Sequence, residues 1–207
     1  MSIPSDDLFA MRFFIGKNQQ PMFGILDTAT EFVALEGHEC QPCTQEVYDI
    51  RTSMDAGEAG IGAATETIPY GGHAIRGKWG FDKFCIGLNQ CIEQMDFFYM
   101  STSHYERPVQ AVIGMARPNV NMILNPILTP LGKKYLLSDL PVTRPTFSTR
   151  LQRRYISWID FGKPDSKQHE EEQVKINMID DFFWSAWGQG IRIGEDNKDA
   201  YRFEKDP

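Results

Sequence analysis

Residues 24–32 read GILDTATEF, and one acidic side chain, Asp27, stands there between an apolar run and the threonines Thr28 and Thr30. Residues 23–26 are apolar or glycine, so the stretch reads as a buried strand that ends on a carboxylate. A buried carboxylate must be hydrogen-bonded or hold its proton, and either condition marks a candidate for chemistry. The alternative on the same residues is a strand-ending aspartate that closes its own turn through an Asx contact. The hydroxyls of Thr28 and Thr30 are close enough in sequence to serve either role.

Outward from this stretch the chain is rich in strand signals. LFAMRFFIG, the polar turn KNQQP and MFGILDT predict a hairpin that feeds the Asp27 strand, and EFVAL follows as another short strand. Residues 51–66, RTSMDAGEAGIGAATE, are small, polar and glycine-rich and predict an exposed loop. In TIPYGGHAIRGKWGFDKFCIG two apolar segments flank YGGH, where paired glycines predict a hairpin turn. MDFFYMST, VQAVIGMA, TFSTRL, YISWIDFG and FFWSAWGQGIRIG predict further strands. One helix is expected over residues 125–137, with Asn125 as N-cap and Pro126 at the first helical position, made irregular by Pro130 and Gly132. Many short strands with closely spaced turns predict a mainly β body, a closed or partly open barrel with one or two short helices. The charged tail EDNKDAYRFEKDP, residues 195–207, is expected to be frayed or held by a partner.

Composition narrows the class of function. Of the 207 residues 42% are hydrophobic and 24% charged, which places the chain among globular proteins. A net charge of −7 argues against a sequence-wide nucleic-acid footprint, and the densest basic cluster, RLQRRY at 150–155, reads as a solvated strand face. No run approaches the ~18 apolar residues of a membrane span. MSIPSDDLFAMRFF lacks a basic start, and Asp6 and Asp7 interrupt any apolar core, so it does not read as a signal peptide. The absence of an Asn-x-Ser/Thr sequon leans away from the secretory route.

The four cysteines fall in two local pairs, Cys40 with Cys43 and Cys85 with Cys91. That pattern fits two small disulfide loops and fits reduced thiols equally well. HECQPC gives His38, Cys40 and Cys43 a metal-like spacing, but zinc requires a fourth ligand and none is adjacent, so no metal site is assigned. Cys85 and Cys91 flank a short turn, where a local bridge is the plain reading. GEAGIG lacks the strand before and helix after it that a nucleotide loop needs, and no cofactor is expected. Trp79, Trp158, Trp184 and Trp187 are read as core packing.

Taken in order, FFIGKNQQPMFGILDTATEFVALEG, CQPC, IPYGGHAIRGKWGFDKFCIG, AVIGMARP, FSTRL, WIDFGKPD and FFWSAWGQGIRIG resemble the amino-terminal lobe of the pepsin-like aspartic peptidases, over about residues 8 to 194. The resemblance implies a β lobe over residues 1–178, strands like the start of a second lobe over 179–194, and the tail beyond. It implies a cleft between two lobes, each giving one aspartate from an Asp-Thr-Gly turn, with the two carboxylates sharing a proton and activating water. Asp27 falls at the first of those aspartates, Thr30 at the hydroxyl that bonds it, and Tyr70 at the tyrosine of the flap hairpin. Ile113 and Gly114 match the hydrophobic-Gly pair beneath the active-site turn. A small disulfide loop, Cys40 to Cys43, follows from the same resemblance, as does a secretory, lysosomal or vacuolar setting.

The departures from that pattern shape the functional expectation. Ala29 replaces the turn glycine and adds a methyl group where close backbone approach is expected. Ala34 stands in place of a tryptophan that would hold the flap tyrosine, His73 in place of a flap glycine, and Gln110 and Ala111 in place of Asp-Gly. A second Asp-Thr-Gly turn is found nowhere in the 207 residues, and the sequence stops about where one would be expected. The expectation is therefore a lobe inactive on its own, serving as a structural or binding subunit of a larger assembly. Its protein partner would cover the edge at residues 182–194. The rival expectation is one half of a split aspartic endopeptidase whose second catalytic aspartate comes from another chain.

Overall fold

The structure, a computed structural model, describes residues 9–43, 47–58, 64–70, 73–87, 89–102, 110–116, 136–142, 146–150, 157–162, 176–179, 185–188, 190–191 and 201–202. Strands β1 (Ala10–Ile15) and β2 (Gln20–Asp27) form the expected hairpin, from Ala10 opposite Ile25 to Ile15 opposite Gln20. Strand β3 (Val33–Glu36) follows the Asp27 turn. A two-residue strand β4 (Gly57–Glu58), then β5 (Glu66–Tyr70), the long β6 (His73–Cys85), β7 (Cys91–Thr102) and β8 (Ala111–Gly114) complete one eight-stranded sheet.

Sheet order is β1-β2-β8-β3-β7-β6-β4, and β1 also pairs with β6 through Phe14–Cys85 and Ile15–Phe84, so the sheet closes on itself as a barrel. One edge of β6 does three jobs: residues 73–77 pair with β5, Gly80 and Phe81 with β4, and Phe84 and Cys85 with β1. The decisive crossing is at β8. It lies parallel to β2, with Asp27 opposite Gly114, and antiparallel to β3, with Val33 opposite Ile113. A strand from more than eighty residues away thus fills the gap between two strands joined only by the Asp27 turn.

Every residue of β3 and β8 is buried, because the strands are covered on both faces. The two-residue period sorts their side chains. Val33, Leu35, Phe97, Tyr99, Ala111 and Ile113 point into the barrel interior with Phe13, Ile15, Met22 and Phe84. Ala34, Phe98, Met100 and Val112 point the other way, into a second core with Ile68, Ile75 and Trp79 of the β5/β6 hairpin.

A polar pair is sealed inside the barrel. Asp82 and Tyr48 are 0% and 1% exposed. The Tyr48 hydroxyl donates to Asp82 Oδ2 while the Lys83 amide donates to Oδ1 at 2.7 Å. Burial first, and Asp82 second, push the Tyr48 phenol far above its ordinary range.

Several expectations are corrected at this level. The segment 51–66 is not one loop: Ile50–Thr52 is a 3-10 turn, Gly57–Glu58 is β4, and β5 starts at Glu66. In the sequence around Asp27, Phe23 is 45% exposed and Asp27 is only half-buried, since this end of β2 reaches the barrel rim. The helix expected over 125–137 lies outside the described residues except for Leu136 and Leu137, which open a short helix α1 (Leu136–Asp139). Strands β9 (Phe147–Arg150) and β10 (Trp158–Phe161) pair as a separate hairpin.

Near the carboxyl end, residues 185–188 are not a strand, but β11 (Gly190–Ile191) pairs with β12 (Tyr201–Arg202), so that part of the tail is paired rather than frayed. Trp79 is core, whereas Trp158 and Trp187 are 42% and 84% exposed and do not serve as core; Trp184 is outside the described residues.

Two substitutions test this account. Tyr48→Phe leaves the buried Asp82 carboxylate short of its hydroxyl donor and is expected to cost about 2 to 3 kcal/mol, read from denaturant unfolding. At Gly114 a Cβ would lie 2.4 Å from the Phe32 carbonyl oxygen and 2.6 Å from both the Phe32 nitrogen and the Thr30 oxygen. Those neighbours are backbone and cannot swing aside, so Gly114→Ala is expected to cost more than about 3 kcal/mol in the same measurement.

Candidate functional site

The Asp27 turn is held from below by β8. The Gly114 amide donates to the Phe32 carbonyl at 3.1 Å, the Met115 amide to the Asp27 carbonyl at 2.8 Å and the Ala116 amide to the Thr30 carbonyl at 2.9 Å. These bonds fix the turn's backbone, and the Asp27 carboxylate then projects from a rigid base.

Each carboxylate oxygen has a partner. Oδ1 accepts the Ala29 amide at 2.8 Å, the Asx contact expected of a turn-closing aspartate. Oδ2 accepts the Thr30 hydroxyl at 2.7 Å and the Tyr70 hydroxyl at 2.8 Å. Local and long-range contacts thus share one side chain, with Tyr70 arriving from 43 residues away. Thr30 is 7% exposed, so its hydroxyl orients the carboxylate from the buried side. The structure therefore brings Asp27, Thr30 and Tyr70 together.

The substituted positions fall into place individually. Ala29 is exposed, and among the described residues the one non-glycine residue with positive φ is Gln19, so the Ala29 methyl causes no strain within the lobe and does not crowd the turn. Ala34 is fully buried, in register with Phe98 of β7, which is in register with Trp79 of β6. The row is small, large, large, and the Trp79 indole lies edge-on to Phe98 and Phe32 at centroid distances of 5.2 and 5.8 Å. Gln110 takes up a bridging role: its side-chain oxygen accepts the Phe23 amide at 2.8 Å and its carbonyl accepts the Glu36 amide at 2.8 Å. His73 is exposed at the end of the hairpin, opposite Tyr70.

Both cysteine pairs are disulfides, Cys40–Cys43 and Cys85–Cys91. The His38 ring meets the Tyr99 hydroxyl. The Tyr99 hydroxyl donates to the Tyr48 carbonyl at 2.9 Å and accepts the His38 amide at 2.9 Å, with His38 Nδ1 at 2.5 Å. This network was not anticipated from the sequence; the inward phase of Tyr99 in MDFFYMST was its only signal. The buried Asp82 was likewise missed, although it lies two residues from the inward Phe84. A groove of about 390 Å³, bordered by Phe9, Met11, Arg12, Trp158 and Asp160, includes none of Asp27, Thr30 and Tyr70 and is a separate surface feature.

Asp49, beside His38, accepts two bonds from the Arg51 guanidinium at 2.9 and 2.8 Å, which hold its carboxyl down at about 2. Because that value lies below the ordinary carboxyl range, the contribution is complete above about pH 4 and is lost as pH falls towards 2. Asp49→Asn is expected to flatten the loss of stability in that window, read from unfolding midpoints against pH. The change should be small because Arg51 is exposed.

A closed β barrel with an aspartate turn seated on a hydrophobic-Gly strand end, and a hairpin tyrosine over it, is the arrangement the sequence resemblance implied. No curated protein matches the chain. A family model described as eukaryotic aspartyl protease matches residues 9–204. The chain therefore belongs to the pepsin-like aspartic peptidase family, of which it has the size of a single lobe.

Proposed function

We propose that this lobe acts as a binding or structural subunit and does not hydrolyse peptides with the residues it carries. The observation behind this reading is the company of Asp27. Its carboxylate is bonded by a backbone amide and two hydroxyls. The family's chemistry needs two carboxylates that share a proton, and the 207 residues contain no second Asp-Thr-Gly turn. The exposed apolar side chains Ile176, Met178, Ile179 and Trp187 support a protein partner near the carboxyl end. Gly190–Ile191 is already paired by Tyr201–Arg202, so such a partner would meet side chains there more than a bare strand edge. Two disulfides favour an oxidising compartment, in keeping with the secretory, lysosomal or vacuolar setting implied by the resemblance.

A second reading has its own support. The Thr30 bond to Asp27 and the seat on Gly114 leave this half of a two-aspartate site undamaged, so a second carboxylate from outside these residues would complete an endopeptidase. In that reading Asp27 is one member of the acid pair and Tyr70 the flap residue.

Peptide cleavage at acid pH separates the two. The 207-residue chain alone is expected to show no cleavage above background and no difference on Asp27→Asn. Cleavage by the native assembly that a pepstatin-type inhibitor blocks and Asp27→Asn abolishes would establish the second reading in place of the first.

A further inference from the structure

The barrel is shut at a short seam. β6 meets β1 through Phe14–Cys85 and Ile15–Phe84, and the Gly16 amide adds a bond to the Lys83 carbonyl at 2.8 Å. The same end of β6 is tied to β7 over an equally short length. The β6/β7 ladder slips between Asp82 and Phe84, and past that irregularity it pairs Phe84 with Ile92 and Cys85 with Cys91. The Ile86 amide then donates to the Gln90 carbonyl at 3.0 Å as the chain turns.

Cys85 is where these ties converge. It pairs with Phe14 of β1 on one edge and with Cys91 of β7 on the other, and its sulfur is bonded to the Cys91 sulfur across that second pairing. Cys85 is 1% exposed, whereas Cys91 is half-buried beside the exposed Gln90, so an incoming thiolate approaches from the Cys91 side. Ile86 and Gln90, which lie within the loop that the disulfide closes, border the groove of Phe9, Met11 and Trp158. Inside the seam Phe84 is fully buried and stacks on Phe13 at a centroid distance of 5.0 Å, a contact made without either cysteine.

We propose that the Cys85–Cys91 disulfide is a redox clasp on the barrel seam: reduction by a thiol loosens the β1/β6 closure and the Ile86–Gln90 wall of the groove, and leaves the Asp27 turn seated on β8. The thiolate of a small thiol of the glutathione class attacks the Cys91 sulfur, forms a mixed disulfide there and expels the Cys85 thiolate, which takes up a proton. A second thiolate attacks the small thiol's sulfur in that mixed disulfide and releases the Cys91 thiolate, which is protonated in turn. Two electrons pass from the two thiols to the bridge, leaving two free cysteines and the small-molecule disulfide. The clasp acts locally because the cysteines are six residues apart, so the bridge restrains the turn and the strand ends it spans. The amides that hold the Asp27 turn belong to Gly114, Met115 and Ala116, outside that span. No turnover at Asp27 is involved, so the clasp is tested apart from either reading of the function.

Amide hydrogen exchange on the whole 207-residue chain provides the test, with Cys40→Ala/Cys43→Ala introduced so that Cys85–Cys91 is the one bridge present. Reduced glutathione is added under native conditions, and alkylation with mass spectrometry reports whether both thiols are free. Once they are, the amides of 12–16 and 84–92 are expected to exchange about 10-fold or more faster, with those of β3 and β8 unchanged and protection restored by oxidised glutathione. A bridge that glutathione leaves closed would overturn the clasp. So would free thiols with unchanged exchange at 12–16, or an acceleration that extends through β3 and β8. Cys91→Ser in the otherwise unaltered chain removes this bridge alone and decides the matter if the double alanine variant does not fold. It is expected to show the fast seam without any reductant, and a seam still protected in Cys91→Ser would refute the proposal.

Discussion

Everything at the candidate site rests on the contact between the Gly114 backbone and the Asp27 turn. β8 passes between β2 and β3 so closely that Gly114 has room for hydrogen only, with backbone atoms of Thr30 and Phe32 where a side chain would be. That proximity allows three consecutive amides, those of Gly114, Met115 and Ala116, to bond turn carbonyls. The pinned carbonyls fix the backbone positions of Asp27 and Thr30, and from those positions their side chains meet at 2.7 Å.

The barrel supplies the rigidity behind this contact by using both faces of its central strands. One phase of β3, β7 and β8 fills the interior, and the other phase makes the platform on which the hairpin lies. Side chains on the platform therefore belong to the barrel strands and pack against the hairpin. Ala34 illustrates this: a small residue in the row leaves space for the Phe98 and Trp79 rings, and the indole N–H donates to Glu66.

Buried polar groups contribute specificity of a different kind. Tyr48 links the barrel interior to Asp82 by its hydroxyl and to Tyr99 by its carbonyl, and Tyr99 in turn holds the His38 backbone and ring. No buried polar side-chain atom lacks a hydrogen-bond partner among the described residues. A satisfied network of this sort penalises strand slippage, because a shift of one residue would strand Asp82 without a donor.

Most local elements and the residue types of the candidate site are readable from the order of residues. Alternating apolar residues and turn signals were enough to place β1, β2, β3, β5, β6, β7, β8, β9 and β10, and the Asp27 turn and the hairpin tyrosine were legible from residue order along the chain. Boundaries and exposure were less legible: the half-exposed rim at Phe23 and Asp27, the strand hidden at Gly57–Glu58 and the pairing of Tyr201–Arg202 with Gly190–Ile191 have no local signal in the residue pattern. The Tyr48–Asp82 pair and the phenol on Asp27 emerge only once the strands are packed together. Each depends on distances between residues far apart in the chain, set by how β8, β6 and β7 stack beside the Asp27 turn, and strand periodicity records which face a residue occupies but not what lies across from it.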